Sequence, residues 1–320
     1  MISTKTSKLA AVVATAISLA ACAHNEQPPA TTAAVLVQPE PGQQTFATPT
    51  DAATALIAAA ATYDVPKLLA ILGPDGKNLV ESADPVADKN RADTFVAKAR
   101  EKNQVVRQGP EATLLVGQQD WPLPIPIVES EGGKWFFDTK AGREEMLRRR
   151  IGANELDAIT ILRGFDEAQH EYAAKIHDDS GVHQYAQKLV STPGTQDGLA
   201  WQNPDGSWAG PIGPTIAKAI EEGYAKRGQP FHGYYFKVLK GQGPAARLGT
   251  LDYVVDGAMI GGFALLAWPA EYGVTGVQTF VVSWDGVVYQ KDLGPMTATL
   301  APEIERYNPD QTWTPTNDAW

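Results

Sequence analysis

Residues 140–178, KAGREEMLRRRIGANELDAITILRGFDEAQHEYAAKIHD, keep a helical pattern for 39 residues without a proline. Met146, Ile151, Leu156, Ile159, Leu162 and Phe165 recur at roughly three-to-four spacing, the period of one helix face. Gly152 and Gly164 are points where such a helix can kink. A rod this long constrains everything around it, because the segments on either side must each cover part of it. It reads as a spine shared by two domains, which suits a chain of 320 residues at ~150 residues per domain.

The segment before the spine, residues 45–139, changes period partway. Thr50 is a good N-cap for DAATALIAAAATYD. VPKLLAILG predicts a second helix, with Pro66 in its first turn and Gly73 ending it, and KNRADTFVAKAREKN a third. QVVRQ, ATLLVGQ, IPIVES and KWFFDT then alternate as strands. Pro122, Pro124 and Pro126 remove donors on one side of WPLPIPIV, so an edge strand is expected there. Helices followed by a short antiparallel sheet predict a small α+β domain, similar in order to the cone-shaped nuclear-transport-factor-two-like folds.

After the spine, residues 179–320 are richer in Gly, Pro and aromatics. NPDGSW marks a turn between Trp201 and Trp208, and GPTIAKAIEEG a short helix. HGYYFKVL, YVVDG, GGFALLAWP and VQTFVVSWDGVVYQKDL predict strands, with Asp285-Gly286 as a two-residue hairpin signal. PMTATLAPEIERY predicts a capping helix, and the tail from Asn308 carries no pattern. The expected architecture is α+β, with an N-terminal helix-plus-sheet domain, a spine helix and a C-terminal antiparallel sheet packed on it.

The N-terminus points to a location. Met1–Lys8 carries two lysines, and Leu9–Ala21 is a 13-residue apolar run, too short to span a bilayer but suited to a signal-peptide core. Leu19-Ala20-Ala21-Cys22 resembles a bacterial lipobox, and Cys22 is the sole cysteine. Residues 1–21 are therefore expected to be removed and Cys22 acylated. Ala23 after it favours the outer membrane over the inner. Residues 22–44, with four prolines, read as a spacer lifting the folded part off the bilayer. One cysteine excludes an intramolecular disulfide and a cysteine-based zinc site. A net charge of −10, two units more negative without Lys5 and Lys8, disfavours nucleic acid as a partner.

The strings WPLPIPIV, RRRIGANEL, AQHEYA, GPIGP, FHGYYFKVLKGQGPAA, GAMIGGFALLAWPAEYGVTGVQTFVV and VYQKDLG, in that order, resemble the bacterial envelope family called domain of unknown function 2950. The resemblance covers residues 45–313 and implies architecture and location, not an activity. The family's usual DGLYW stands here as DGLAW at 197–201, and its Gly-Gly pair is absent at Leu248-Gly249-Thr250. A more distant likeness joins NELDAITILRGFDEAQHEYA and the later strand strings to the head region of type IV pilin-like proteins, in fold only.

The chain offers few catalytic constellations. Glu167-x-x-His170 places a carboxylate and an imidazole one helical turn apart, as in half of a di-iron bundle site, but there is no second copy. With His177, Asp178 and Asp179 this face reads better as solvated polar surface. Gly-x-Ser-x-Gly and a Walker loop are both absent, so no catalytic set, metal or cofactor is expected. Arg148, Arg149 and Arg150 form the densest cationic cluster. If they are buried at the domain junction, Arg149 or Arg150 must pair with Glu155 or with carbonyls, and an anion-binding cleft is the functional alternative. Trp201, Trp208, Tyr234, Trp268, Tyr272 and Trp284 read as packing, or as a stacking platform for envelope saccharides if they share a face. Trp268 is the preferred pocket residue, because Pro269 ends its strand.

The candidate binding set is thus Arg149, Glu155, His170, His232, Tyr234 and Trp268, with Cys22 as the lipid attachment. The expected role is a periplasm-facing outer-membrane lipoprotein that binds an envelope protein or cell-wall saccharide without catalysis. The rival is an envelope hydrolase using His232, or the Glu167/His170 pair, with junction carboxylates.

Overall fold

Thr48, not Thr50, caps the first helix. In the computed structural model, which describes residues 37–81, 85–177, 181–212 and 230–317, the Thr48 hydroxyl accepts the Asp51 N–H at 3.1 Å. Pro49 then fits the first helical position, where no donor is needed. The helix α1 (Pro49–Ala61) is followed by α2 (Val65–Leu72), capped by Asp64 and ended by Gly73 at φ +76°, as its sequence predicts. A short α3 (Lys77–Val80) and a longer α4 (Pro85–Glu101) complete the helical layer. Cys22, Asp178, Asp179 and the helix expected near Pro214–Gly223 lie outside the described residues.

The first sheet contains β1 (Asn103–Gln108), β2 (Glu111–Val116), β3 (Trp121–Pro122), β4 (Ile127–Glu129) and β5 (Trp135–Phe137). It is antiparallel, ordered β1-β2-β4-β5, with β3 beside β2. Ala112, Leu114 and Val116 alternate into one cluster with Ala52, Leu56 and Ala60 of α1 and Val96 of α4. The proline-bearing segment divides. Its first part pairs with β2 alone, whereas Ile127–Glu129 lies between β2 and β5, where every donor is used. The edge expectation therefore holds only at Trp121–Pro122; Pro124 and Pro126 lie between strands, and the strand that follows is an interior one.

Helix α5 (Thr139–Ala173) follows, capped by Asp138, whose Oδ1 accepts the Ala141 N–H at 3.0 Å. It runs unbroken through Gly152 and Gly164 and stops five residues short of Asp178. Gly142 is required by close approach, since a Cβ there would lie 2.7 Å from Ile125 Cγ1. The apolar stripe is shorter than the sequence predicts. Met146 and Leu156 are 41% and 40% exposed, while Ala158, Ile159, Leu162, Phe165, Ala168 and Tyr172 carry the burial.

Those residues pack on the second sheet. After β6 (Trp201–Gln202) and β7 (Trp208–Ala209) come β8 (Tyr234–Leu239), β9 (Gly241–Gln242), β10 (Leu251–Asp252), β11 (Val254–Val255), β12 (Ala258–Met259), β13 (Ala264–Pro269), β14 (Gln278–Ser283), β15 (Tyr289–Asp292) and β16 (Thr314–Pro315). The main sheet is antiparallel in the order β16-β15-β14-β13-β8, with β6–β7, β9–β10 and β11–β12 as small ribbons. Leu265, Leu266, Phe280 and Val282 are almost completely buried.

Two expectations change here. The connection at Asp285-Gly286 is longer than two residues, because strand pairing stops at Val281↔Tyr289 and Val288 turns inward at 3% exposure. The patternless tail supplies β16, paired to β15 through Gln290↔Thr314. The architecture is α+β.

Candidate functional site

One turn of α5, residues 154–157, meets two connections of the second sheet: the turn at Phe231–Gly233 and the loop Ala270–Val277 between β13 and β14. Three of the four helix residues there have a long-range partner, and the fourth, Leu156, is exposed. Asn154 Nδ2 donates to the Thr275 carbonyl at 2.8 Å. Glu155 Oε1 accepts the Val277 and Gln278 N–H groups at 2.9 and 3.0 Å. Asp157 Oδ2 contacts His232 Nδ1.

The loops are shaped for this contact. His232 sits at φ +46°, a conformation that costs a non-glycine residue energy. Gly233 follows at φ +76°, and a Cβ on it would lie 2.8 Å from Asn154 Nδ2. Gly276 packs so closely on Tyr234 that a Cβ would come within 2.1 Å of the phenol oxygen. Tyr234 is fully buried and its hydroxyl donates to the Gln278 carbonyl at 2.9 Å. Burial, with the Glu155 charge adding to it, pushes that phenol far above its usual range, so it serves as a donor and not as a base.

The structure thus brings Glu155, His232 and Tyr234 together, with Trp268 nearby. Trp268 is half-buried against Tyr235, ring centroids 5.7 Å apart, one residue from the Pro269↔Tyr234 pair. Arg149 and His170 lie elsewhere on α5. Arg149 does not reach Glu155. Its Nε donates to Glu145 Oε1 at 2.8 Å and its Nη1 to the Pro122 carbonyl at 2.8 Å, over the Trp121 ring. Hydrogen bonds from Arg149 hold the Glu145 carboxyl below its usual range. His170 does not close with Glu167. Its Nε2 lies 3.6 Å from Asp166 Oδ1, and its ring meets Phe263 edge-on.

The aromatic set disperses among different contacts. Trp201 lies by His177, Trp284 under Arg247, and the Tyr272 hydroxyl donates to Asp292. Among the described residues, no group of three or more His, Cys, Asp or Glu side chains could hold a metal ion, and no helix is long and apolar enough to cross a membrane.

Sequence reasoning missed Asp157 and Asn154. Their partners stand 75 and 121 residues away, so no local spacing announces them.

Residues 43–316 match a family described as "Protein of unknown function (DUF2950)". The chain belongs to that family. Within this DUF2950 chain the match takes in every residue of the helix–loop junction, while Cys22 and most of the spacer fall outside it. No curated protein and no solved structure matches the chain.

Proposed function

We propose that this chain is a lipid-anchored outer-membrane protein facing the periplasm, serving as a non-catalytic binding or assembly module of the envelope. One structural observation carries the non-catalytic part. At the junction of α5 with the second sheet, the polar groups of Asn154, Glu155 and Tyr234 are spent on backbone hydrogen bonds that hold the β13–β14 loop. Groups committed in this way build a rigid surface and are not free to move protons. The lipobox supports the anchoring part, with Cys22 as the acylated residue and residues 23–44 as the tether. A long helix carrying an antiparallel sheet supports a pilin-head-like fold and says nothing of polymerisation.

Membrane fractionation and palmitate labelling of native cells test the anchor. Wild type is expected in the membrane fraction and labelled, and Cys22→Ser unlabelled and soluble. Unchanged fractionation of that variant would sink the anchor. Cross-linking from membranes and retention on purified sacculi test the binding role, which fails if neither a specific partner nor retention is found.

A second reading rests on His232 and Asp157. A carboxylate on Nδ1 orients an imidazole and leaves Nε2 for a substrate, as a general base requires, and both side chains are partly exposed. On this reading the chain is an envelope hydrolase acting at the junction. It predicts that turnover of a cell-wall polymer is abolished by His232→Gln.

A further inference from the structure

Beyond α5 the chain folds back across the helix end. The Gln169 side chain clamps Ala186 from both sides, donating to its carbonyl at 2.9 Å and accepting its N–H at 2.8 Å. Between the helix end, this returning segment and the β11–β12 turn at Gly257 lies a cleft of about 210 Å³. That is less than the roughly 300 Å³ at which pockets for drug-sized ligands begin, a space for a single small ring.

One wall is aromatic and rigid. Tyr172 and His177 stack with centroids 3.9 Å apart and planes 11° from parallel. His177 Nδ1 lies 3.2 Å from Gln196 Oε1 and Nε2 3.0 Å from the Tyr172 carbonyl oxygen; both partners are acceptors, so the neutral ring is held by one N–H bond at a time. The Tyr172 hydroxyl donates to the Gln196 carbonyl at 2.6 Å, fixing the other end.

Polar capacity remains around that wall. Gln196 spends its oxygen on His177, leaving its amide N–H groups. Gln187 spends its N–H on the Gly257 carbonyl at 2.6 Å, leaving its oxygen. Tyr185 lines the cleft, its ring packed on Phe263, and its hydroxyl makes no hydrogen bond among the described residues. The cleft thus carries a donor, an acceptor and a group that is both, the complement of a ring bearing several hydroxyls.

The charges lining it cancel. Lys188 Nζ lies 2.5 Å from Asp197 Oδ2, and Asp197 also accepts from Thr192 and Thr195. Burial alone would raise the Asp197 carboxyl, but Lys188 and the threonine donors outweigh it and hold it at about 2. A paired carboxylate and ammonium leave no uncompensated charge for an ionic ligand, and the net charge of −10 disfavours anions further.

We infer that this cleft is a saccharide subsite taking one neutral pyranose unit of an envelope glycan, an inference that rests on the binding-module reading and names its ligand class. The His177 ring, backed by the buried Tyr172 ring, covers the apolar face of the sugar, and Gln187, Gln196 and Tyr185 take its hydroxyls.

The test uses the full chain in detergent, titrated with N-acetylglucosamine and its β-1,4-linked dimer. Trp201, beside His177, serves as the fluorescence reporter, and saturation-transfer NMR shows which face of the sugar is held. Millimolar binding is expected, with Tyr185→Phe and Gln196→Ala each weakening it about fivefold, as for loss of one hydrogen bond. Tyr185→Phe keeps the ring on Phe263, so an unchanged melting temperature certifies its fold.

Wild-type affinity in both variants would overturn the site, as would no response of wild type at about 50 mM sugar. Retention on sacculi separates the two claims. If wild type and both variants are retained alike, the site is wrong and the binding reading stands. If wild type is not retained and captures no partner, the reading falls as well.

Discussion

At Glu155 a single carboxylate oxygen takes the N–H groups of both Val277 and Gln278. Hydrogen bonds to a charged acceptor contribute about 1.5–3 kcal/mol each, and losing the acceptor leaves two half-buried donors unpaired. Glu155→Ala should therefore destabilise the protein by about 2–4 kcal/mol, and Glu155→Gln by less, because the amide oxygen still accepts. Urea unfolding of the two variants measures this, and a loss in Glu155→Ala no larger than that of an exposed helix residue would refute it. Glu155 was legible in the sequence as a junction charge, but its partner was not. Arg149 stands six residues away, about 240° around the helix, while Glu145 lies four residues before it on the same face. His232 was legible for a similarly simple reason, its scarcity, whereas its positive φ and its contact with Asp157 depend on where the β8 turn meets α5.

The contact of α5 with the β14–β15 connection carries a pH dependence. Asp166 Oδ1 is buried without a hydrogen bond, and Asp166 Oδ2 lies 3.5 Å from where a Cβ of Gly286 would stand. Burial raises the Asp166 carboxyl, opposed by His170 and reinforced by Asp285 and Glu167. Burial likewise raises Asp285, opposed by the Val287 N–H and by Arg247. A carboxyl raised in the folded state binds its proton more tightly there than in the unfolded chain. Its stabilising contribution is therefore complete below the ordinary carboxylate range and is lost as pH rises through the raised folded value. The melting temperature should fall between pH 4 and pH 7 by more in wild type than in Asp166→Asn or Asp285→Asn, and both variants should gain stability at neutral pH. Parallel pH profiles of wild type and variants would contradict this. The paired acids were not legible, because 119 residues separate them and each alone reads as ordinary helix or turn surface. The strands themselves were legible from alternation, except where pairing depends on a neighbour, as in the tail that becomes β16.

Across the molecule, α5 belongs to the core of the second sheet and is tied at its first turn to the N-terminal cluster. Thr139 and Gly142 fix its first turn to the N-terminal cluster through the Leu72 carbonyl and Ile125, and residues 158–172 belong to the core of the second sheet. Between them the helix is largely uncovered, with Ala153 exposed. Proline inside a helix costs about 3 kcal/mol or more and breaks its continuity. Wild type is expected to unfold in one calorimetric transition and Ala153→Pro in two, as the clusters lose their shared rod. A single unshifted transition in the variant would show that the helix does not couple them. The sequence by itself determined which segments of the core are helix or strand, because period, caps, glycines and prolines act over a few residues. Several ends were set by the fold, as at Ala173 of α5 and in the single helical turn Thr297–Leu300 that stands in place of a longer capping helix. Only the tertiary structure decided which side chains meet, as at Asp157 with His232, Glu155 with the β13–β14 loop, and Tyr172 and His177 beside Gln196. Such pairs are selected by packing across long stretches of chain, where local chemistry is the same whether or not the partner arrives.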